Sequence, residues 1–285
     1  MLRVKFYPLI IGVLSLPGWL LAVNQNAEET LTGAGLKTQA SRTTTAPQLV
    51  TASKQGAPLN PQDPPTALQA TLPTETLVRI TCDYHSSPQQ PKLTSTYHYR
   101  LWLPASFSPT NSKKWKVLFI ASPQGNADLG SMADWIKHHE YVAVALEESR
   151  NGPAEPVVGN FLAAHDDLIQ RIHVAEGQKI CTGFSGGARA CSTFVTLRPG
   201  FGGLILQGAG CAMRQPDGTY DIKGMNLRGV AVTMGKQDAN HNEIGLLSRS
   251  FGSQLQILEF AGGHQWAPAE VIAQALDGVD QKLGP

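Results

Sequence analysis

The chain has 285 residues, of which 42% are hydrophobic and 16% are charged, and 23 basic residues nearly balance 22 acidic ones to give a net charge of +1. The apolar fraction is enough for one sizeable core. The balanced charge gives no electrostatic reason to expect binding to nucleic acid or to a strongly acidic partner. Four cysteines without a C-x-x-C spacing do not form the pattern of a structural zinc site.

The first 23 residues have the layout of a targeting segment. Arg3 and Lys5 precede an uncharged apolar run from Phe6 to Val23, and a basic start before such a run is typical of a secretory signal. The run is short for a membrane span and contains two prolines. We predict a cleaved signal peptide, with an uncleaved membrane anchor as the alternative. Either one makes the rest of the chain secreted, periplasmic or cell-surface.

Residues 24–75 have the composition of a linker. This stretch is rich in Thr, Ala, Gln and Pro and has almost no aromatic residue. Such a sequence cannot bury enough apolar surface to offset the entropy lost on ordering. We therefore predict a disordered linker here, followed by one folded domain over 76–285.

Within this domain, apolar runs of strand length alternate with helical patterns. The strands 76–84 and 96–103 have no helix between them, which predicts an antiparallel pair at a sheet edge. Further strands are predicted over 116–121, 141–146, 179–182, 203–207, 229–234 and 255–260. Helices are predicted over 130–139, 160–175, 188–197, 242–251 and 267–283. This alternation predicts an α/β fold, in which a mostly parallel sheet is covered by helices on both faces.

The sequence GFSGG at 183–187 fits the pattern G-x-S-x-G. It lies between a predicted strand and a predicted helix, which is the context in which this motif presents a nucleophilic serine. Glycines suit the turn because the serine backbone is strained there and flanking side chains would collide with the strand and the helix. We predict Ser185 as the nucleophile, and the alternative is a glycine-rich turn without chemistry.

The partners of such a serine should follow along the chain as an acid and then a histidine. Asp238 and His264 each come soon after a predicted strand, at the sheet edge where α/β proteins carry their sites. We predict that His264 takes the proton of Ser185 and that Asp238 orients His264. Other acids and another histidine stay open as rivals: Glu243, Asp217 and His241.

An oxyanion produced by such a serine needs hydrogen-bond donors. The N–H of Gly186, the residue after the nucleophile, is the first candidate. The second should come from the loop 122–126, in which Pro123 has no N–H to offer. Gln124 is the preferred candidate there, with Gly125 next.

With these residues the sequence resembles the α/β-hydrolase fold, and within it the secreted polyhydroxybutyrate depolymerase-like and feruloyl-esterase-like proteins. The resemblance covers residues 97–283, and its most specific block is GGHQW at 262–266. It also rests on YRLWLP at 99–104, DD at 166–167, GFSGG at 183–187 and Asp238. The resemblance implies a serine esterase. Members usually carry a His-Gly pair in the oxyanion loop and an Asn after the nucleophile, where this chain has Ser122-Pro123 and Gly186.

The segment 208–228 between two predicted strands bears on the substrate. It is too short for a large helical lid, which predicts an open site suited to bulky or polymeric esters. Trp266 and Phe184 flank the predicted catalytic residues and are predicted to contact the substrate. The alternative is that both pack beneath the loops.

No motif for a cofactor or a catalytic metal is present, since the chain has neither G-x-x-x-x-G-K-[ST] nor H-E-x-x-H. In an exported chain, Cys191 and Cys211 are candidates for a disulfide, and Cys181 is predicted to be a buried free thiol.

The leading hypothesis is a carboxylic ester hydrolase that works through an acyl-enzyme. A serine peptidase of the same fold and a catalytically silent binding protein are the alternatives.

Overall fold

The structure, a computed structural model, describes residues 48–53, 75–84, 93–108 and 112–285. The predicted targeting segment 1–23 lies outside these residues, as does most of the predicted linker 24–75. Among the described helices, none combines the length and the apolar character that crossing a membrane requires.

The strands form one sheet. They are β1 (Gln48–Ser53), β2 (Glu75–Tyr84), β3 (Leu93–Trp102), β4 (Trp115–Ala121), β5 (Val142–Leu146), β6 (Val174–Phe184), β7 (Phe201–Gln207), β8 (Gly229–Gly235) and β9 (Leu255–Phe260). Their spatial order is β1-β2-β3-β5-β4-β6-β7-β8-β9. From β5 to β9 all neighbours are parallel, whereas β3 is antiparallel to both β2 and β5. The predicted mostly parallel sheet and the antiparallel pairing of β2 with β3 are confirmed, but this pair is not at the sheet edge because β1 lies outside β2.

Five α-helices cover the sheet. They are α1 (Ala133–His138), α2 (Ala154–Arg171), α3 (Gly186–Leu197), α4 (Glu243–Phe251) and α5 (Ala269–Leu283). Alternate residues of β4 face opposite sides: Phe119 belongs to a core cluster with residues of α2, α3 and α4, and Leu118 to one with residues of α1 and α5. Because both faces are covered, β4 and β5 are apolar runs without alternation, as predicted.

The largest differences from the prediction are in β1, β6 and α2. Strand β6 begins at Val174 and ends at Phe184, whereas the prediction was 179–182. Strand β1 falls within the segment predicted to be a disordered linker, where it pairs in parallel with β2 from Gln48 to Ser53. Helix α2 begins at Ala154 and ends at Arg171, instead of spanning 160–175. The earlier start is compatible with Pro156, because a proline in the first helical turn removes no intrahelical hydrogen bond.

A polar cluster is buried between α2 and the start of β6. Lys179 Nζ donates to His165 Nε2 at 2.7 Å, and His165 Nδ1 lies 2.9 Å from a carboxylate oxygen of Asp166. Burial lowers the pKa of His165, against the opposing effect of Asp166. Burial also lowers the pKa of Lys179, to about 8. Arg198 pairs with Asp166, whose pKa is lowered to about 2 although burial alone would raise it.

This cluster predicts a loss of stability in acid. The unfolded chain binds a proton at His165 near the reference value of about 6.5, whereas the folded chain does so only at lower pH. The free energy of unfolding therefore falls as the pH drops below that value. Urea unfolding at the two pH values should show a smaller acid loss in His165→Gln than in wild type. His173→Gln, at an exposed histidine, is the control. An equal acid loss in wild type and His165→Gln would contradict the assignment.

Candidate active site

Ser185 lies at the turn where β6 ends and α3 begins. Its backbone has φ 51° and ψ −117°, a conformation with positive φ that a residue with a side chain adopts only when the surroundings enforce it. The Ser185 N–H donates to Gln207 O on the neighbouring strand at 2.8 Å. This bond fixes the strained residue to the sheet edge.

Glycines at 183 and 187 allow the turn to be this tight. A β-carbon at Gly187 would lie 2.4 Å from the carbonyl oxygen of Ala121 at the end of β4. One at Gly183 would lie 2.5 Å from the carbonyl carbon of Gly187. Both contacts are with main-chain atoms, which cannot move aside, so α3 can start this close to the sheet only with glycine at both positions.

Three side chains form a continuous hydrogen-bonded row. The His264 Nε2 atom lies 2.9 Å from Ser185 Oγ. The His264 Nδ1 atom lies 2.9 and 3.0 Å from the two carboxylate oxygens of Asp238. The Asp238 side chain is fully buried, whereas His264 is 39% exposed. The three residues that the sequence predicted for catalysis are therefore brought together, with the acid inside and the serine and the imidazole open to solvent.

Two loops hold the acid and the histidine next to each other. The loop after β8 and the loop after β9 touch at Gly235, where a β-carbon would lie 2.3 Å from Gly263 O. Gln237 N–H donates to Gly262 O, and Gln237 Oε1 accepts from Gly262 N–H. The Asp238 carboxylate also accepts from Asn240 N–H at 2.8 Å. This bond leaves the carboxylate oriented toward His264.

Comparisons with known proteins rest on solved structures, because no protein-family model and no curated protein sequence matches the chain. A CE1 ferulic acid esterase from the anaerobic fungus Anaeromyces mucronatus aligns with a TM-score of 0.52 at 13% identity, over 76% of this chain and 94% of that one. A dienelactone hydrolase-like promiscuous phosphotriesterase from metagenomic libraries aligns with 0.51 at 12% identity, over 73% and 97%. This chain has the α/β-hydrolase fold.

The predicted oxyanion donors of this α/β-hydrolase domain differ in availability. The N–H of Gly186, in the first turn of α3, has no hydrogen-bond partner in the described part of the chain. The Gln124 N–H makes a long bond of 3.3 Å to the Ser122 hydroxyl, which can rotate away. The Gly125 N–H is bound to the Ser122 carbonyl oxygen, which cannot. Gln124 therefore remains the better second candidate.

The two predicted substrate-binding aromatic residues occupy different positions. Phe184 is 9% exposed, and its ring centre lies 4.6 Å from that of His264 and 5.3 Å from that of Trp266. Phe184 therefore supports the imidazole and offers little surface to a substrate. Trp266 is half-buried and is the more accessible of the two.

Each rival to the predicted acid and base has partners elsewhere. Glu243 accepts from Arg189, from Arg214 and from the N–H of Gly210. Burial raises its pKa, but the hydrogen bond and charge of Arg189, together with the hydrogen bond from Gly210 N–H and the effect of the Tyr220 hydroxyl, outweigh this effect and the pKa is lowered. Asp217 caps an exposed turn at Thr219.

The rival histidine also faces away from the row. His241 Nε2 lies 2.5 Å from Glu259 Oε1 at the surface. The geometry around Ser185 thus favours His264 over His241.

The segment between β7 and β8 forms no helical lid. Over 208–228 the chain makes turns and one isolated bridge between Arg214 and Tyr220. The α/β-hydrolase site is therefore not covered by an inserted domain at this position.

Three of the cysteines are free thiols. Cys181, Cys191 and Cys211 are all buried, so the predicted pairing of Cys191 with Cys211 is wrong in this structure. Cys191 Sγ lies 3.1 Å from Thr182 O, which directs it toward β6. Among the described residues no cluster of three or more His, Cys, Asp or Glu side chains is placed to hold a metal ion.

Two residues at the site were missed by the sequence analysis. Gly208, with φ +63°, leaves room for the Phe184 ring and for the Asp238 carboxylate, which would lie 2.6 and 3.2 Å from a β-carbon there. Asn151 lies against Gly186. The only signal for Asn151 was its place soon after β5, at the carboxyl edge of the sheet.

Proposed function

We propose that this protein is a serine hydrolase that cleaves carboxylic esters through an acyl-enzyme. The observation that carries the proposal is the row of hydrogen bonds from Ser185 through His264 to Asp238. The solved structures of the same fold that carry esterase names support the choice of an ester as the substrate. The open position of Ser185 and His264 supports access of a substrate from solvent.

In the proposed reaction the His264 Nε2 atom accepts the Ser185 hydroxyl proton as Oγ attacks the ester carbonyl carbon. The Nδ1–H group of the resulting imidazolium donates a hydrogen bond to Asp238, whose buried carboxylate stays ionised and stabilises the charge. The N–H groups of Gly186 and Gln124 receive the oxyanion. The His264 proton then passes to the departing alkoxide, and the alcohol leaves. Water, deprotonated by His264, releases the acid from Ser185.

We further propose that the substrates are bulky or polymeric esters. The short segment 208–228 supports this choice because it adds no lid above Ser185. A substrate can then approach while most of its length stays in solvent. Trp266 is the residue that we propose to contact the group next to the scissile bond.

The proposed activity is tested with p-nitrophenyl esters of graded chain length, assayed beside a peptide p-nitroanilide. We expect turnover of the esters by wild type, little turnover of the anilide, and none of either by Ser185→Ala. Ester turnover that is equal in wild type and Ser185→Ala would refute the serine mechanism. Preferential cleavage of the anilide would favour a peptidase instead.

We also propose that the protein acts outside the cytoplasm. The proposal rests on the basic and apolar sequence of residues 1–23. The complete burial of three free thiols is compatible with an oxidising compartment, because buried thiols are inaccessible to oxidants. N-terminal sequencing of the protein from its native host distinguishes a cleaved signal from a retained anchor.

A further inference from the structure

Gly186 differs from the other glycines of its motif in what it faces. A β-carbon there would lie 1.7 Å from Oδ1, 2.8 Å from Cγ and 3.2 Å from Nδ2 of Asn151. Whereas Gly183 and Gly187 avoid main-chain atoms, Gly186 makes room for a side chain from a separate loop. The Asn151 carboxamide thus occupies the space that the side chain of residue 186 would otherwise fill.

The backbone of Asn151 holds the loop that carries Gln124, the second proposed oxyanion donor. The Asn151 N–H donates to Pro123 O at 2.7 Å. That carbonyl belongs to the same peptide unit as the Gln124 N–H, and the two groups of a trans peptide point in opposite directions. The bond to Pro123 therefore sets the direction of the Gln124 N–H.

The segment after β5 supports the oxyanion loop at further points. Ser149 Oγ accepts from Ser122 N–H at 3.1 Å. Glu147 O accepts from Asn126 N–H at 2.9 Å. The loop is thus held along its length by the segment that carries Asn151.

The Asn151 carboxamide itself has no hydrogen-bond partner among the described residues and is exposed. It stays beside Gly186 by packing, so its removal is expected to cost little stability.

We propose that Asn151 is a positioning residue that aligns both oxyanion donors, Gln124 through its backbone N–H and Gly186 through its carboxamide. This inference rests on the proposed esterase function. Aligned donors act most strongly on the charge that develops in the transition state. Loss of the carboxamide should therefore lower kcat and leave KM nearly unchanged.

The test compares Asn151→Ala, Gly186→Ala and the double variant on p-nitrophenyl acetate. Asn151→Ala should lower kcat by about 10- to 100-fold with KM within about twofold. Inhibition by a trifluoromethyl ketone, whose adduct with Ser185 carries an oxyanion, should weaken by a similar factor. Gly186→Ala displaces the same carboxamide, so it should lower kcat by a similar factor. The kcat of the double variant should then be no lower than that of the less active single variant. Asn242→Ala, at an exposed asparagine without a side-chain cap, should match wild type.

The outcomes separate the two proposals. If wild type shows Ser185-dependent turnover but the kcat of Asn151→Ala stays within twofold of it, the role of Asn151 is refuted and the esterase function stands. Losses in Asn151→Ala and Gly186→Ala that multiply in the double variant also refute it. A wild type without Ser185-dependent turnover overturns both. Melting temperatures identify a variant that is unfolded, in which case the other single variant decides.

Discussion

Ser185→Ala should reduce kcat/KM for a soluble ester by about 10⁴- to 10⁶-fold, and His264→Ala should reduce it nearly as much. The reason is that the Ser185 Oγ atom and the His264 Nε2 atom, 2.9 Å apart, act as one unit. Without the imidazole the hydroxyl is a poor nucleophile, and without the hydroxyl the imidazole has no proton to accept. The double variant should therefore be little worse than either single one. The measurement is kcat/KM on p-nitrophenyl acetate for all four proteins.

Folding of the variants is the control for this result. Ser185 carries strained backbone angles that the side chain does not stabilise, so Ser185→Ala should unfold at a denaturant concentration close to that of wild type. Single-variant effects that add in free energy would show that the two residues act independently. The proposed roles would then be wrong.

Asp238→Asn should lower kcat/KM by about 10³- to 10⁴-fold while the fold persists. The neutral carboxamide can still accept from Asn240 N–H, but it cannot stabilise an imidazolium at His264. It can also turn its NH₂ group toward Nδ1, which favours the tautomer that cannot take the serine proton. Activity and urea unfolding should be measured on the same preparations.

Glu243→Gln is the matched control because it also neutralises a buried carboxylate near the site. Its partners are Arg189, Arg214 and the N–H of Gly210, so we expect a loss of about 2 kcal/mol in stability. Activity of the folded protein should stay within about tenfold of wild type, since no bond connects Glu243 to His264 in the described residues. A larger loss of kcat/KM in Glu243→Gln than in Asp238→Asn would overturn the choice of acid.

The sequence predicted the features that are set locally. Strands covered on both faces appear as uninterrupted apolar runs, which made β4, β5 and β8 recognisable. The motif at 183–187 combines a serine with glycines that the turn requires, and its placement between a strand and a helix is a short-range property. Asp238 and His264 were predicted because each follows a strand, and the parallel sheet brings both strand ends to one edge.

Features set by contacts across the fold were not predicted. Gly186 leaves space for the carboxamide of Asn151, which is distant in sequence. The pairing of β5 with β4 and of β4 with β6 brings the two residues together. For Phe184 the sequence left substrate contact and packing beneath the loops both open, and the ring contacts with His264 and Trp266 favour packing. The early start of α2 was not predicted because the apolar helical face begins only near Phe161, whereas the helix begins at Ala154.

The short connection between β7 and β8 has a consequence for the kinetics on assembled substrates. In hydrolases with a mobile lid, a lipid–water interface shifts the lid to its open state, and the rate rises abruptly once the substrate forms micelles. Over 208–228 this chain has no helix that could open and close in that way. Dissolved and aggregated esters would then meet the same form of the enzyme, and the rate would follow the concentration of accessible ester bonds without a step at the critical micelle concentration.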